Sequence, residues 1–184
     1  SSGFIGFHVA KFLLSKEWKV IGLDAMTEYY DVDLKKARLK ILLENPNFHN
    51  FEGLVEDQIL LDKIFLNHKP NVILHLAAQA GVRYSIDNPN SYVQSNLIGT
   101  FQILEVARKF NPDHLLIAST SSTYGSNPNM PFNENQRSDT PMSFYAATKK
   151  SNEVMAHSYS HLYDIPTTLF RFFTVYGPWG RPDM

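Results

Sequence analysis

Between residues 4 and 173, stretches with helical periodicity alternate with stretches of extended, apolar character, and this alternation most restricts the folds open to the chain. Such repetition builds a parallel sheet, because a helix must carry the chain back before the next parallel strand can pair. The spacing predicts helices over 4–16, 33–44, 56–67, 91–110 and 144–163, with strands over 19–24, 48–52, 72–76, 115–118 and 167–173. Val72-Ile73-Leu74-His75-Leu76 and Leu115-Leu116-Ile117-Ala118 are apolar enough to be covered on both faces. Pro46 closes the second helix, whose apolar residues are Leu34, Leu39, Ile41, Leu42 and Leu43. The expected class is α/β, a doubly wound parallel sheet with helices on both faces. It occupies one domain over 1–184, with no repeat or interdomain linker. A sheet of this kind has a strand before its first helix, and here the chain enters that helix almost at once. The reading is therefore a domain truncated at both ends, without its first, central strand, and marginal or aggregation-prone alone.

Composition excludes several function classes. Lys and Arg total 17 against 18 Asp and Glu, a net charge of -1, so no broad field draws the chain to nucleic acid or an acidic membrane. Any anionic ligand must be held by local groups. The absence of cysteine removes disulfides, thiolate metal sites and a thiol nucleophile. No apolar run is long enough for a bilayer span and no signal peptide is visible, which makes a cytoplasmic location the default expectation.

Gly3 and Gly6 open the first helix and read as the last two glycines of a Gly-x-x-Gly-x-x-Gly or Gly-x-Gly-x-x-Gly turn. Glycine there lets backbone approach a pyrophosphate, and the helix N-terminus offers unpaired N–H groups to the phosphates. Two glycines at this spacing are weak evidence alone. Asp24 strengthens them, since it ends the next strand 18 residues after Gly6, where an acid receives the adenosine ribose hydroxyls. An acid there also repels a 2′-phosphate and favours NAD over NADP. Helix, strand and acid together indicate a Rossmann-like dinucleotide site.

Tyr145 and Lys149 form Tyr-x-x-x-Lys on a predicted helix, a spacing that puts both side chains on one face. A free phenol, with a pKa near 10, is a poor base at neutral pH, and a lysine ammonium beside it lowers that value. The pair can then take a hydroxyl proton while hydride leaves the same carbon. The motif occurs by chance in many helices, so its surroundings matter. Upstream, the strand at 115–118 runs out into Ser119-Thr120-Ser121-Ser122-Thr123-Tyr124-Gly125, a hydroxyl cluster at the strand end where open α/β sheets bind ligands.

These residues resemble the extended short-chain dehydrogenase/reductase family over essentially the whole chain, and within it the UDP-glucuronate 4-epimerases. The most specific stretches are Leu76-Ala77-Ala78-Gln79-Ala80-Gly81-Val82-Arg83-Tyr84-Ser85 and Arg171 through Met184, with Phe173, Thr174 and Tyr176-Gly177-Pro178-Trp179-Gly180-Arg181. The resemblance implies a C-terminal substrate lobe that this chain lacks. It also implies that Thr120 is the hydroxyl of a Thr–Tyr–Lys triad, Tyr145 the acid/base and Lys149 its tuning cation and ribose ligand. Phe4, Ile5, Asp24, Leu76, Ala77, Ala78, Asn96 and Phe173 would line NAD. The implied reaction oxidises sugar C4, turns the flat 4-keto sugar over and reduces it on the other face. Related enzymes that dehydrate or decarboxylate carry an acid shortly after the triad hydroxyl, whereas Ser121 and Ser122 stand here.

A glucuronate carboxylate calls for hydroxyl donors and a guanidinium. Ser121, Ser122 and Thr174 are candidate donors, and Arg83 and Arg181 candidate cations, with a solvated loop position as the alternative for Arg83 and a diphosphate or structural contact for Arg181. Two positions depart from the family pattern: Ala25 where Asn is common, and Leu54 where Asp is frequent near adenine. His157 and His161, four apart on the catalytic helix, read as structural rather than as metal ligands. Leu97, Ile103, Leu104 and Ala107 read as core at helical spacing. The resemblance implies a homodimer through the helices at 91–110 and 144–163, with a UDP-sugar as partner and neither nucleic acid nor membrane. Open alternatives are another nucleotide-sugar epimerase, dehydratase or reductase, or a non-catalytic NAD-binding protein.

Overall fold

A computed structural model describes residues 1–182; Asp183 and Met184, which end the second family-like stretch, lie outside the described residues. The elements run α1 (Phe4–Ser15), β1 (Val20–Asp24), α2 (Val32–Leu43), β2 (Phe48–Glu52), α3 (Gln58–His68), β3 (Val72–His75), α4 (Tyr84–Asp87), α5 (Pro89–Tyr92), a π-helical turn (Val93–Ile98), α6 (Gly99–Phe110), β4 (His114–Thr120), a 3-10 turn (Ser121–Tyr124), α7 (Phe144–Tyr163) and β5 (Thr167–Phe172). Every predicted helix and strand is present to within a few residues. The starts of α3 and α7 are capped by side chains: Asp57 accepts from the Leu60 N–H and Ser143 from the Ala146 N–H. Lys69, Asn111 and Asp164 end α3, α6 and α7 in left-handed backbone, which breaks the helical hydrogen-bond run.

The strands pair in parallel throughout, but in two sheets. β1 pairs with β2, Asp24 opposite Glu52, while β4 lies between β3 and β5, with Ser119 opposite Arg171 and Thr120 opposite Phe172. The sheet is thus interrupted between β1 and β3. Packing nonetheless joins the two parts: Ile21, Leu23 and Phe51 sit against a core that includes Ile73, Leu104, Leu115, Ile117 and Ala156. A second cluster fastens α1 to α2 and β2 through Phe7, Ala10, Leu14, Leu42 and Phe48. Burying these apolar faces, at roughly 25 cal/mol per Å², is what holds the helices on the strands.

Two expectations need correction. The single helix expected over 91–110 is α5, a π turn and α6 in succession, because one residue more than an α-turn allows is wound into 93–98. On α2, apolar periodicity misjudged the inward face: Lys35 and Arg38 are buried while Leu43 is exposed. No helix among the described residues is long and apolar enough to cross a membrane.

Candidate active site

A cavity of about 710 Å³ opens where the first turn of α1, the C-terminal ends of the strands and the N-terminal half of α7 converge. Its wall contains Gly3, Phe4, Ile5, Gly6, Asp24, Leu76, Ala77, Ala78, Arg83, Thr120, Ser121, Ser122, Tyr145, Lys149, Phe173, Thr174 and Arg181. All the residues singled out from sequence therefore meet at one site, with the exception of Asn96. That convergence places the cavity at the carboxyl edge of the strands, where α/β sheets of this type bind ligands.

The α1 end suits a dinucleotide phosphate. Gly3 caps the helix without any side-chain bond, and no acid sits in the first turn to compete for its free N–H groups. A Cβ built on Gly3 would meet nothing within 4 Å, leaving open space where an anion can approach backbone. At Gly6 the constraint is different: an added Cβ would lie 3.2 Å from the Ser1 backbone, so glycine is needed for that close passage. Asp24 is pinned by the N–H groups of Ser2 (2.8 Å) and Met26 (3.0 Å). Burial opposes its ionisation, while the N–H groups of Ser2 and Met26 favour the carboxylate form. It stands as a fixed, ionised acceptor, the form that ribose hydroxyls require.

At the other end of the cavity the Thr120 hydroxyl and the Tyr145 phenol share one wall. Thr120 also caps the 3-10 turn, accepting from the Ser122 N–H at 3.2 Å, so the turn delivers Ser121 and Ser122 beside it. Burial raises the Tyr145 pKa, with the Thr120 hydroxyl and the charge of Arg181 pulling the other way. Lys149 lies in the same wall; its ammonium donates to the Ala118 carbonyl at 2.9 Å, and burial brings its own pKa down to about 8.

Asn96, expected to line NAD, is absent from the cavity wall. It is fully buried, and its amide is consumed by protein: Oδ1 accepts from the Gln79 N–H (2.8 Å), while Nδ2 donates to the Gln79 carbonyl (3.1 Å) and Thr148 Oγ1 (3.0 Å). It ties the loop after β3 to α7.

Sequence reasoning missed the charged cluster behind the triad. Glu153, one turn beyond Lys149, accepts from Ser119 Oγ (2.6 Å), Arg171 Nε (2.8 Å) and Lys150 Nζ (3.0 Å). Arg171 Nη2 and Lys150 Nζ also reach Ser138 Oγ, at 2.8 and 3.0 Å, which secures the loop before α7. Burial resists ionisation of Glu153, yet these donors bring its pKa down to about 2. The register Ser119↔Arg171 allows the clamp, and it was invisible until the strands were paired. His157 and His161 are solvent-exposed on α7.

The GDP-mannose 4,6 dehydratase family matches residues 1–183. The probable UDP-glucuronate 4-epimerase of Rhizobium meliloti (strain 1021) is 57% identical over 184 residues, covering 100% of this chain and 54% of that protein. UDP-glucuronate 4-epimerase 3 of Arabidopsis thaliana is 49% identical, with 100% of this chain and 43% of the relative aligned. The crystal structure of UDP-glucuronic acid 4-epimerase from Bacillus cereus, in complex with UDP-glucuronic acid and NAD, superposes with a TM-score of 0.89 at 34% identity, over 100% of this chain and 57% of that one. The chain thus spans about half the length of the curated relatives it matches.

Proposed function

Because the chain belongs to the GDP-mannose 4,6 dehydratase family of extended short-chain dehydrogenases/reductases, we propose that it forms the NAD-binding Rossmann domain, over residues 1–184, of a UDP-glucuronate 4-epimerase. The observation that carries this reading is the meeting of Thr120, Tyr145 and Lys149 with the open N-terminus of α1 and the ionised Asp24 in one cavity wall. The α1 N–H groups receive the diphosphate and Asp24 the adenosine ribose, with Ile5, Leu76, Ala77, Ala78 and Phe173 as apolar lining. Lys149 is largely protonated at neutral pH, fixed against the Ala118 carbonyl, and supplies positive charge to the site.

Tyr145 takes the proton from the sugar 4-hydroxyl while Thr120 holds the same oxygen. When bound, NAD would supply the hydride acceptor and donor for sugar C4. Tyr145 then gives the proton back, so atoms and electrons balance and the reaction is an isomerisation. Neither Ser121 nor Ser122 can act as the further acid that dehydration requires, which favours epimerisation over the chemistry for which the family is named. Incubating the whole protein with UDP-glucuronate should yield UDP-galacturonate with no net formation of NADH; net NADH, or turnover of UDP-glucose alone, would refute the assignment.

Ser121, Ser122 and Thr174 donate to the sugar carboxylate, and Arg181 supplies its counter-charge; Arg83, exposed at the start of α4, is a weaker candidate at the same wall. The 4-keto intermediate is a β-keto acid, and fixing its carboxylate prevents the geometry that loss of carbon dioxide needs. Ser121→Ala/Ser122→Ala should therefore release a UDP-pentose alongside the epimer, detectable by chromatography of the products. Clean epimerisation by this variant would remove the serines from that role.

The protein is proposed to act as a cytoplasmic homodimer through α6 and α7. Phe101 at 40% exposure, Val154 at 60% and Leu162 at 64% support an apolar face on those helices.

A further inference from the structure

Arg38 is the largest fully buried side chain, and its bonds reach three separate parts of the chain. Nη1 donates to the Ser2 carbonyl beside the phosphate turn (3.1 Å) and to Tyr30 Oη (2.8 Å); Nη2 donates to the carbonyls of Trp179 (2.6 Å) and Gly180 (3.4 Å). Two further contacts seat the same C-terminal segment on α1: His8 Nε2 with the Pro178 carbonyl at 2.8 Å, and the Trp179 ring against Phe7 at 5.9 Å between centroids. The residue that follows, Arg181, lies with its guanidinium 5.3 Å from the Tyr29 ring centre and 5.9 Å from that of Tyr30. Lys35 stands 4.8 Å over Tyr30 as well, so three cations gather round one phenol ring beside the cavity. The Asp24 carboxylate offsets part of that charge at Lys35, and Lys35 and Arg38 are held by carbonyl and hydroxyl acceptors rather than left mobile.

We propose that Arg38 is a positioning residue: with Tyr29 and Tyr30 it forms a platform that ties residues 179–181 to the phosphate turn and fixes Arg181 in the cavity wall to read a sugar carboxylate. The carboxylate part of this statement rests on the substrate reading above; the platform itself does not. A fork of donors is needed because its acceptors lie on three segments at different angles, and neither Lys nor Met can span them. The cofactor loop and the carboxylate-binding arginine are thereby braced by one side chain.

The test uses the whole protein carrying Arg38→Met, Arg38→Lys, Arg181→Ala and the double variant Arg38→Met/Arg181→Ala. Met fills the volume of a buried guanidinium without stranding charge, which favours retention of the fold. By calorimetry Arg38→Met should weaken UDP-glucuronate binding about tenfold and leave UDP, which has no sugar carboxylate, within about twofold. Arg38→Lys should fall between Met and wild type. Because Arg38 acts through Arg181, the double variant should bind UDP-glucuronate about as weakly as Arg181→Ala alone. Hydrogen exchange at the backbone amides of 179–181 should accelerate in Arg38→Met, with no ligand needed for that readout. Unchanged exchange there would overturn the platform; equal losses for UDP and UDP-glucuronate, or multiplying effects of the two substitutions, would overturn the action of Arg38 through Arg181 on the carboxylate. If exchange accelerates but Arg181→Ala costs no UDP-glucuronate affinity, the platform stands and the carboxylate reading falls.

Discussion

Tyr145→Phe should lower kcat for epimerisation of UDP-glucuronate by about 10³- to 10⁴-fold while leaving KM and bound NAD within a few-fold of wild type. A loss of that size corresponds to about 4–5.5 kcal/mol of transition-state stabilisation, and it arises because the phenol is the proposed proton carrier in the wall it shares with Thr120. The substitution removes one atom. The ring keeps its edge contact with Tyr92, whose centroid lies 6.0 Å away, and the helix keeps its Ser143 cap, so the fold should persist. Steady-state kinetics together with the absorbance of retained cofactor checks the claim; activity within tenfold of wild type would place the proton transfer on another residue.

Glu153→Leu should have the largest effect on stability. Glu153 is 8% exposed and receives Ser119, Lys150 and Arg171, so removing it leaves two cations without their acid partner in a largely buried site. Breaking such a pair from one side costs about 3–5 kcal/mol, a fall in melting temperature on the order of 10 °C. The double variant Glu153→Leu/Arg171→Met should recover part of that loss, since both charges then leave together. The clamp also predicts an acid-sensitive fold. The Glu153 pKa falls from 4.5 to about 2 on folding, so its contribution is fully present above about pH 4.5 and is lost as the pH falls towards 2. Allowing for residual solvent screening, that contribution is about 2–3 kcal/mol, and it should disappear from the pH–stability curve of Glu153→Leu between those limits. Thermal scans at pH 7, 4 and 3 on wild type and the two variants measure it; equal melting temperatures across the set would show the clamp to be dispensable.

The clamp also bears on catalysis, because Ser119 precedes Thr120 and Glu153 follows Lys149 by one helical turn. Together with the Asn96–Thr148 bond and the Lys149–Ala118 bond, it fixes the rotation of α7 against β4 on both sides of the catalytic face. Pre-organisation of this kind keeps Thr120 and Tyr145 on the same reacting oxygen.

Helix and strand positions, and the set of residues that meet round one cavity (Gly3, Gly6, Asp24, Thr120, Tyr145 and Lys149), were legible in the sequence because each is governed by short-range rules. Apolar periodicity follows from which face a helix or strand buries, glycine from local backbone approach, and the triad from a fixed helical spacing. What only the tertiary structure decided concerns polar side chains whose partners lie far along the chain. Asn96 is fully buried, with Gln79 and Thr148, 17 and 52 positions away, receiving its amide. Lys149 is anchored by the Ala118 carbonyl, 31 positions away. Arg38 on α2 is fully buried, with carbonyls 36 and 141 positions distant converging on its guanidinium. A buried charge is stable only where its acceptors meet in three dimensions, and that meeting is a property of strand register and helix packing rather than of neighbouring residues.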